Sequence, residues 1–131
     1  MGYYLCFKKN NVDIYSVPVS SALGQCFTGA PWDKWKVCSP EILERALAEC
    51  KDNIRETQIQ IKNIEEALTV IKDTEDIYSA IDEKHQKREE LSAFRQAAVS
   101  IQILKEICEQ PVYDQTDDWN EIPTVFEYGV F

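Results

Sequence analysis

The chain has 131 residues, of which 44% are hydrophobic and 11% aromatic, which is enough apolar material for one core. We therefore expect a single domain over residues 1–131. Fourteen basic and 23 acidic side chains give a formal net charge of −9, which opposes direct binding to duplex DNA and to anionic membrane surfaces. No apolar run approaches the roughly 20 residues that span a bilayer, so the sequence predicts a soluble, cytoplasmic protein with no membrane contact.

Two runs of strand-forming residues open the chain, at residues 3–7 and 12–17. Asn10 and Asn11 separate them, and because asparagine tolerates a positive φ angle, the pair predicts a tight hairpin turn. Residues 20–34 have no periodicity and contain two glycines and a proline, so we interpret them as a loop. Trp35, Val37 and their neighbours can add a short third strand, so that residues 1–38 form a β-hairpin and loop.

A first long helix is predicted over residues 40–72. Ser39 supplies a capping hydroxyl, Pro40 suits the first helical position, and Glu41 complements the helix dipole. Side chains at spacings of four and three then form an unbroken heptad seam, the pattern of a coiled coil. The seam comprises Leu43, Leu47, Cys50, Ile54, Thr57, Ile61, Ile64, Leu68 and Ile71.

A second long helix is predicted over residues 75–110. Asp73 or Thr74 can cap its start, and Pro111 marks its end. Because the connection between the two helices is short, they should fold back on each other as an antiparallel hairpin. The tail, residues 111–131, contains Trp119 and a β-prone stretch at residues 124–128, which we expect to return to the N-terminal strands. The predicted fold class is therefore α+β: a long, coiled-coil-like helical hairpin with a small antiparallel sheet built from both terminal segments.

The apolar side chains of the two predicted helices fail to face each other in one place. Residues 82–90 contain no apolar side chain, yet the folded register sets them opposite Ile61 and Ile64, with Ile59 on a neighbouring face. The aliphatic stems of Lys84 and Arg88 can cover the isoleucines while their charges reach water. Alternatively, a second copy or another protein covers them. On the second interpretation Ile59, Ile61 and Ile64 are a candidate oligomer interface, and the protein is a homo-oligomer.

Residues suited to catalysis are few. The single histidine, His85, lies in this charged stretch without an evident partner, so we assign no catalytic residue, no metal ligand and no cofactor. Asp82 and His85 have the spacing of half a carboxylate metal motif, which Glu65 or Glu66 could complete across a dimer. The cysteines are odd in number and widely spaced, which predicts reduced and mostly buried thiols; they are Cys6, Cys26, Cys38, Cys50 and Cys108.

Two groups of residues are candidates for binding a ligand. The segment at 29–36 interleaves Trp32 and Trp35 with Lys34 and Lys36, and aromatic faces beside cations suit a stacked base with its phosphate. The alternative is that both indoles close the core while the lysines are solvated. The second group is a basic cluster on the second helix, which packed copies could concentrate around an anion; it comprises Lys84, His85, Lys87 and Arg88.

In design, an acidic protein with terminal strands around a helical hairpin and no catalytic residues is similar to small phage counter-defence proteins that bind nucleotide signals or block host machinery. The resemblance implies a non-enzymatic, oligomeric binding protein acting by sequestration or occlusion. Its target would be a small nucleotide-type ligand or a basic protein. Two alternatives belong to other classes: a metal-dependent hydrolase assembled across a helical dimer, and a structural coiled-coil assembly subunit.

Overall fold

The computed structural model describes residues 2–27, 29, 31–110, 112–113, 121–122 and 124–131. Within these residues the chain forms strands β1 (Tyr4–Lys9) and β2 (Val12–Pro18), helix α1 (Ser21–Cys26), strand β3 (Lys36–Val37), helices α2 (Pro40–Leu68) and α3 (Thr74–Glu109), and strands β4 (Val112–Tyr113), β5 (Glu121–Ile122) and β6 (Phe126–Val130). Two long packed helices and a sheet made from both terminal segments confirm the predicted α+β fold.

The main sheet has four antiparallel strands in the order β2-β1-β6-β3. Asn10 and Asn11 adopt φ angles of 50° and 65°, the left-handed values that a two-residue hairpin turn requires, so the predicted turn is confirmed. The C-terminal strand β6 pairs with β1, and the short strand β3 pairs with β6. Strand β6 begins two residues later than the predicted stretch at 124–128. Strands β4 and β5 form a separate pair. Pro111 and Trp119 lie outside the described residues.

Helices α2 and α3 form the predicted antiparallel hairpin. The contacts Glu44–Lys105, Cys50–Phe94 and Glu65–Lys84 join residues whose numbers run in opposite directions along the two helices. The Ser39 hydroxyl accepts a hydrogen bond from the Ile42 amide at 3.3 Å, which is the predicted cap. Helix α2 ends at Leu68, four residues before the predicted end at residue 72.

That earlier end has a local cause. The Thr69 hydroxyl donates to the Glu66 carbonyl oxygen at 2.6 Å, and threonine and aspartate side chains that bond the nearby backbone compete with helix continuation. Asp73 then accepts from the Glu75 amide at 2.9 Å and caps α3. Helix α3 begins at Thr74 and ends at Glu109, each one residue before its predicted bound.

Helix α1 corrects the prediction that residues 20–34 are a loop. The Ser20 hydroxyl accepts a hydrogen bond from the Leu23 amide at 3.2 Å and caps the helix. Three of its residues, Ala22, Leu23 and Cys26, are buried. Because they share one face, α1 packs against both long helices and continues the helical layer beside the sheet.

The core lies between one face of the main sheet and the base of the helical hairpin. The sheet contributes Leu5, Phe7, Phe126, Tyr128 and Val130, and the helices contribute Leu43, Ala46, Cys50, Phe94, Ala97, Ile101 and Leu104. Beyond Thr57 on α2 and before Phe94 on α3, no residue of either helix is fully buried. The seam therefore holds the core together only at the base of the hairpin.

Candidate ligand-binding site

The backbone on either side of Trp32 is hydrogen-bonded to β6, while the Trp32 side chain is exposed. The segment around it runs beside β6: the Asp33 amide donates to the Val130 carbonyl oxygen at 2.9 Å, and the Val130 amide donates to the Pro31 carbonyl oxygen at 2.8 Å. The indole is 55% exposed and meets the ring of Tyr3 edge-on, with centroids 5.0 Å apart. Large exposed aromatics held on rigid backbone are typical of binding surfaces.

An apolar cavity of about 290 Å³ opens beside this indole. Its walls come from β1, β6, α1 and the residues that flank α1, and the apolar side chains are Leu5, Val19, Leu23, Phe27 and Val130. Two glycines, Gly24 and Gly29, also line it and leave backbone atoms accessible. We call this cavity the Trp32 pocket. None of its lining residues in the described part of the chain has a charged side chain, and its volume is close to the lower end of the roughly 300–1,000 Å³ typical of ligand pockets.

Trp35 lies on the opposite face of the sheet. Leu5 and Phe7 are buried on the core face, so Cys6 and Lys8, which alternate with them, point to the outer face. There the Lys8 ammonium sits 4.3 Å from the centre of the Trp35 ring, and the Phe131 ring lies 4.8 Å from it, tilted by 40°. Trp35 thus uses its ring for contacts within the chain.

The structure therefore does not bring the two indoles of the 29–36 segment together. Trp32 faces the Trp32 pocket, whereas Trp35 borders a broader groove of about 600 Å³ on the outer face. Lys34, between the two tryptophans in sequence, and Lys36, directly after Trp35, are both exposed. Sequence spacing could not reveal that the two indoles lie on opposite faces of the sheet. Their separation arises because the segment that carries them crosses the edge of the sheet next to β6.

The basic cluster on α3 is largely paired with acids of the same chain. Lys84 lies 3.1 Å and Arg88 3.9 Å from the Glu65 carboxylate, and Lys87 lies 3.3 Å from Glu90. His85 is exposed. Lys84 and Lys87 are half-buried, whereas Arg88 is exposed. The side chains that lie along the seam are therefore those of Lys84 and Lys87, and not that of Arg88 as predicted.

The three candidate interface isoleucines do not share one face. Ile61 and Ile64 are half-buried on the seam side of α2. Ile59 is 54% exposed, and two residues correspond to about 200° around a helix, so it points away from α3. An oligomer contact can reach Ile59 directly, whereas Ile61 and Ile64 are partly covered by the chain's own second helix.

The five cysteines are free thiols, as predicted. Burial raises the pKa of Cys26 and of Cys38 to about 12, and burial is also the main cause of the raised pKa of Cys50. The Cys50 thiol donates to the Phe94 carbonyl oxygen at 2.9 Å. These thiols are uncharged at neutral pH and serve as packing groups, because the thiolate is the reactive form.

The residues of the alternative metal site do not belong to a cluster of metal-binding side chains in the described part of the chain. Asp82 and His85 are both exposed. Among the residues that the structure describes, no group of three or more His, Cys, Asp or Glu side chains is placed to hold a metal ion.

None of the helices described in the structure is long and apolar enough to cross a membrane. The chain matches no protein-family model, and comparison with curated proteins and with solved structures finds no similar protein.

Proposed function

We propose that this protein is a non-enzymatic binding protein that sequesters a small nucleotide-type ligand, with the base in the Trp32 pocket. The observation that carries the proposal is the exposed Trp32 indole, which borders an apolar cavity and whose two sequence neighbours hydrogen-bond to Val130 of β6. A planar base can stack on an aromatic side chain whatever its sequence identity, because every base has a π-face. A preformed pocket also lowers the entropic cost of binding.

Two exposed lysines support an anionic ligand beside Trp32. Acidic side chains exceed basic ones in both parts of the chain: residues 1–39 and 111–131 carry four basic and seven acidic side chains, and residues 40–110 carry ten basic and sixteen acidic ones. The support therefore comes from the local position of the lysines and not from the net charge. Lys34 and Lys36 are exposed on the segment that follows Trp32, where their ammonium groups can meet a phosphate.

Sequestration without catalysis is supported by the chemistry of the nearby side chains. Among the residues that the structure describes, those that line the Trp32 pocket include no acid, base or thiol that could activate water. A general base must reach the proton it abstracts, and the histidine lies in the exposed charged stretch of α3. The same architecture would suit the counter-defence role implied by the resemblance in design.

The test is calorimetric titration with a panel of mononucleotides and cyclic dinucleotides, each paired with its nucleoside. We expect Trp32→Ala to weaken binding by roughly 1–3 kcal/mol, the usual contribution of base stacking. The control is Tyr78→Ala, which removes another exposed aromatic ring, from the hairpin, and should leave affinity unchanged. Combining Lys34→Gln with Lys36→Gln should weaken the nucleotide and leave the nucleoside unaffected.

The proposal fails if no member of the panel binds, or if the Trp32→Ala protein binds as tightly as the unaltered one. Loss of binding in the Tyr78→Ala control would place the ligand on the hairpin instead.

A second candidate function is occlusion of a basic protein by the helical hairpin. The excess of acidic side chains on residues 40–110 favours such a partner. Val70 and Tyr78, at the connection between the two helices, are 72% and 65% exposed and offer apolar contacts within that acidic surface. Binding that depends on Tyr78 and weakens with salt would favour this function over nucleotide sequestration.

A further inference from the structure

The two long sides of the helical hairpin differ in what lies beside them. On one side Glu56 of α2 and Glu90 of α3 line a groove that α1 forms with both helices. The other side is marked by Glu65, whose carboxylate lies 3.1 Å from Lys84 and 3.9 Å from Arg88. Nine residues separate Glu56 from Glu65, which is about two and a half helical turns. The two carboxylates therefore point in opposite directions, and the side of Glu65 is the one away from α1.

The side of the hairpin away from α1 carries a row of cations. Residues seven apart share a face of a coiled-coil helix, so Lys51 and Gln58 lie on the face of Glu65, and Arg95 lies on the face of Arg88. Eight exposed residues on this side include five Lys or Arg, one His and no acid; they are Lys51, Arg55, Gln58 and Lys62 on α2 and His85, Arg88, Ser92 and Arg95 on α3. We call these eight residues the basic strip.

The basic strip is narrow and is bordered by carboxylates. From residue 51 to residue 62 it extends about 16 Å along α2, at about 1.5 Å per residue. Asp52 lies on its α2 border, 3.6 Å from Arg55, and Asp82 and Glu89 are exposed on its α3 border. A wide polyanion such as duplex nucleic acid would meet these carboxylates together with the cations. The strip therefore suits a narrow ligand that carries a line of negative charge.

Part of the basic strip brings like charges together. Because the Cys50 thiol donates to the Phe94 carbonyl oxygen, the next residues, Lys51 and Arg95, lie at the same level of the hairpin. Within the part of the chain that the structure describes, neither of them forms an ion pair, and nor does Lys62. Like charges at close range repel each other. A carboxylate from a partner, placed between the two helices, would relieve this repulsion.

We infer that the basic strip is a docking surface for an acidic α-helix of a partner protein. A third helix can lie in the shallow groove between two packed helices. Carboxylates seven residues apart on that helix lie in one row, and they match the seven-residue spacing of Arg88 and Arg95 on α3 and of Arg55 and Lys62 on α2. Charged residues beside a helical seam set the choice of partner. This surface shares no residue with the Trp32 pocket and does not depend on the proposed nucleotide ligand.

The experiment is fluorescence anisotropy of the whole chain with a labelled, alanine-rich helical peptide about three heptads long. Its glutamates are seven residues apart in two adjacent rows on one face. We expect saturable binding that weakens as salt concentration rises. Combining Arg88→Glu with Arg95→Glu should weaken binding at least about tenfold, because two attractive pairs become repulsive. Combining Lys51→Glu with Lys62→Glu reverses two charges on the other helix and should have a similar effect.

The matched control combines Lys34→Glu with Lys36→Glu. It makes the same change in net charge at two exposed lysines of the sheet end and should leave peptide affinity unchanged. A peptide of identical composition with its glutamates on all faces should bind more weakly, and so should a single-stranded oligouridylate. Circular dichroism checks that each variant keeps its helices.

The inference is overturned if the peptide does not bind, or if the sheet-end control weakens binding as much as the reversals on the strip. Equal binding of the rearranged peptide would reduce the effect to net charge. Binding of the oligouridylate that depends on Arg88 and Arg95, without binding of the peptide, would replace the acidic helix by a nucleic acid.

Discussion

The ammonium of Lys9 donates a hydrogen bond of 2.7 Å to the carbonyl oxygen of Gln110, and a second of 2.9 Å to that of Ile107. Strand β1 is thereby joined to the C-terminal end of α3, where the helix leaves carbonyl groups without partners and carries partial negative charge. This contact links the sheet to the hairpin across almost the whole sequence.

Replacing Lys9 by Met should lower the free energy of unfolding by about 1–2 kcal/mol, because two charge-assisted hydrogen bonds at a helix end are lost. The melting temperature should fall by roughly 4–8 °C. Thermal unfolding followed by circular dichroism measures the effect. Lys36→Met, at an exposed lysine of β3, is the control and should change stability little; equal effects of the two substitutions would contradict the proposed cap.

Gly129 should not tolerate a methyl group. A Cβ atom at this position would overlap the Lys34 carbonyl oxygen and the ring of Phe131. Because β6 pairs on both sides, the strand cannot easily move away, and we expect Gly129→Ala to destabilise the protein by about 1–3 kcal/mol. Chemical denaturation provides the measurement.

Gly24→Ala is the matched control for Gly129→Ala. A Cβ atom at Gly24 meets no atom within 4 Å, and alanine favours helix, so stability should rise by about 0.5–1 kcal/mol. If Gly129→Ala were as stable as the original chain, the close approach of residues 34 and 131 to β6 would be wrong.

Stability should decline in alkaline solution because of buried thiols. Burial raises the pKa of Cys26 and Cys38 from 9.0 to about 12, so the folded protein holds these protons more tightly than the unfolded chain. Their contribution is complete below pH 9 and is lost as the pH rises toward 12. Each thiol should lower the free energy of unfolding by up to about 1.4 kcal/mol per pH unit in that window.

The measurement is the free energy of unfolding by urea at a series of pH values, for the original chain and for Cys26→Ala with Cys38→Ala. The variant should show a clearly shallower decline above pH 9. Burial acts in the same direction on Tyr128, whose pKa is also raised, so part of the decline should persist in the variant. Identical slopes would contradict the role assigned to the two cysteines.

The predicted homo-oligomer can be tested at Ile59 without disturbing the hairpin. Ile59 is exposed and faces away from α3, so Ile59→Glu should change monomer stability by no more than about 0.5 kcal/mol. We expect sedimentation velocity to show an oligomer for the original chain and dissociation toward monomer for this variant.

Ile64→Glu is the contrasting substitution. It places a charge on the half-buried seam side and should destabilise the hairpin itself, by about 1–3 kcal/mol. A monomeric original chain, or an Ile59→Glu protein of unchanged mass, would exclude this face as the interface.

The helical hairpin could be predicted from sequence because its signals are local and repeated. Ser39 and Pro40 have the chemistry of a helix start, and eight of the nine positions in the heptad pattern lie on one face of α2, while the ninth, Ile71, follows its end. Asn10 and Asn11 are similar, since two adjacent residues that tolerate positive φ specify a turn by themselves. In these segments local preference and tertiary packing favour the same structure.

Helix α1 was not predicted because its helical sequence pattern is short and is interrupted by a glycine. Gly24 lies in the middle of its six residues, and glycine usually indicates a loop. Ser20 as a cap, with Ala22, Leu23 and Cys26 on one face, was the available indication. The Trp32 pocket depends on where α1 packs, because Leu23 and Gly24 line it, so it could not be inferred before that helix was known.

Helix α1 lies between two cavities. Leu23 and Gly24 line the Trp32 pocket, and the adjacent residues Ala22 and Gln25 line a polar groove of about 310 Å³ that α1 forms with the two long helices. Because one short helix contributes to both, a ligand that displaced α1 from the side of the Trp32 pocket would also change the shape of the groove. Any such coupling would have to be equal in both directions.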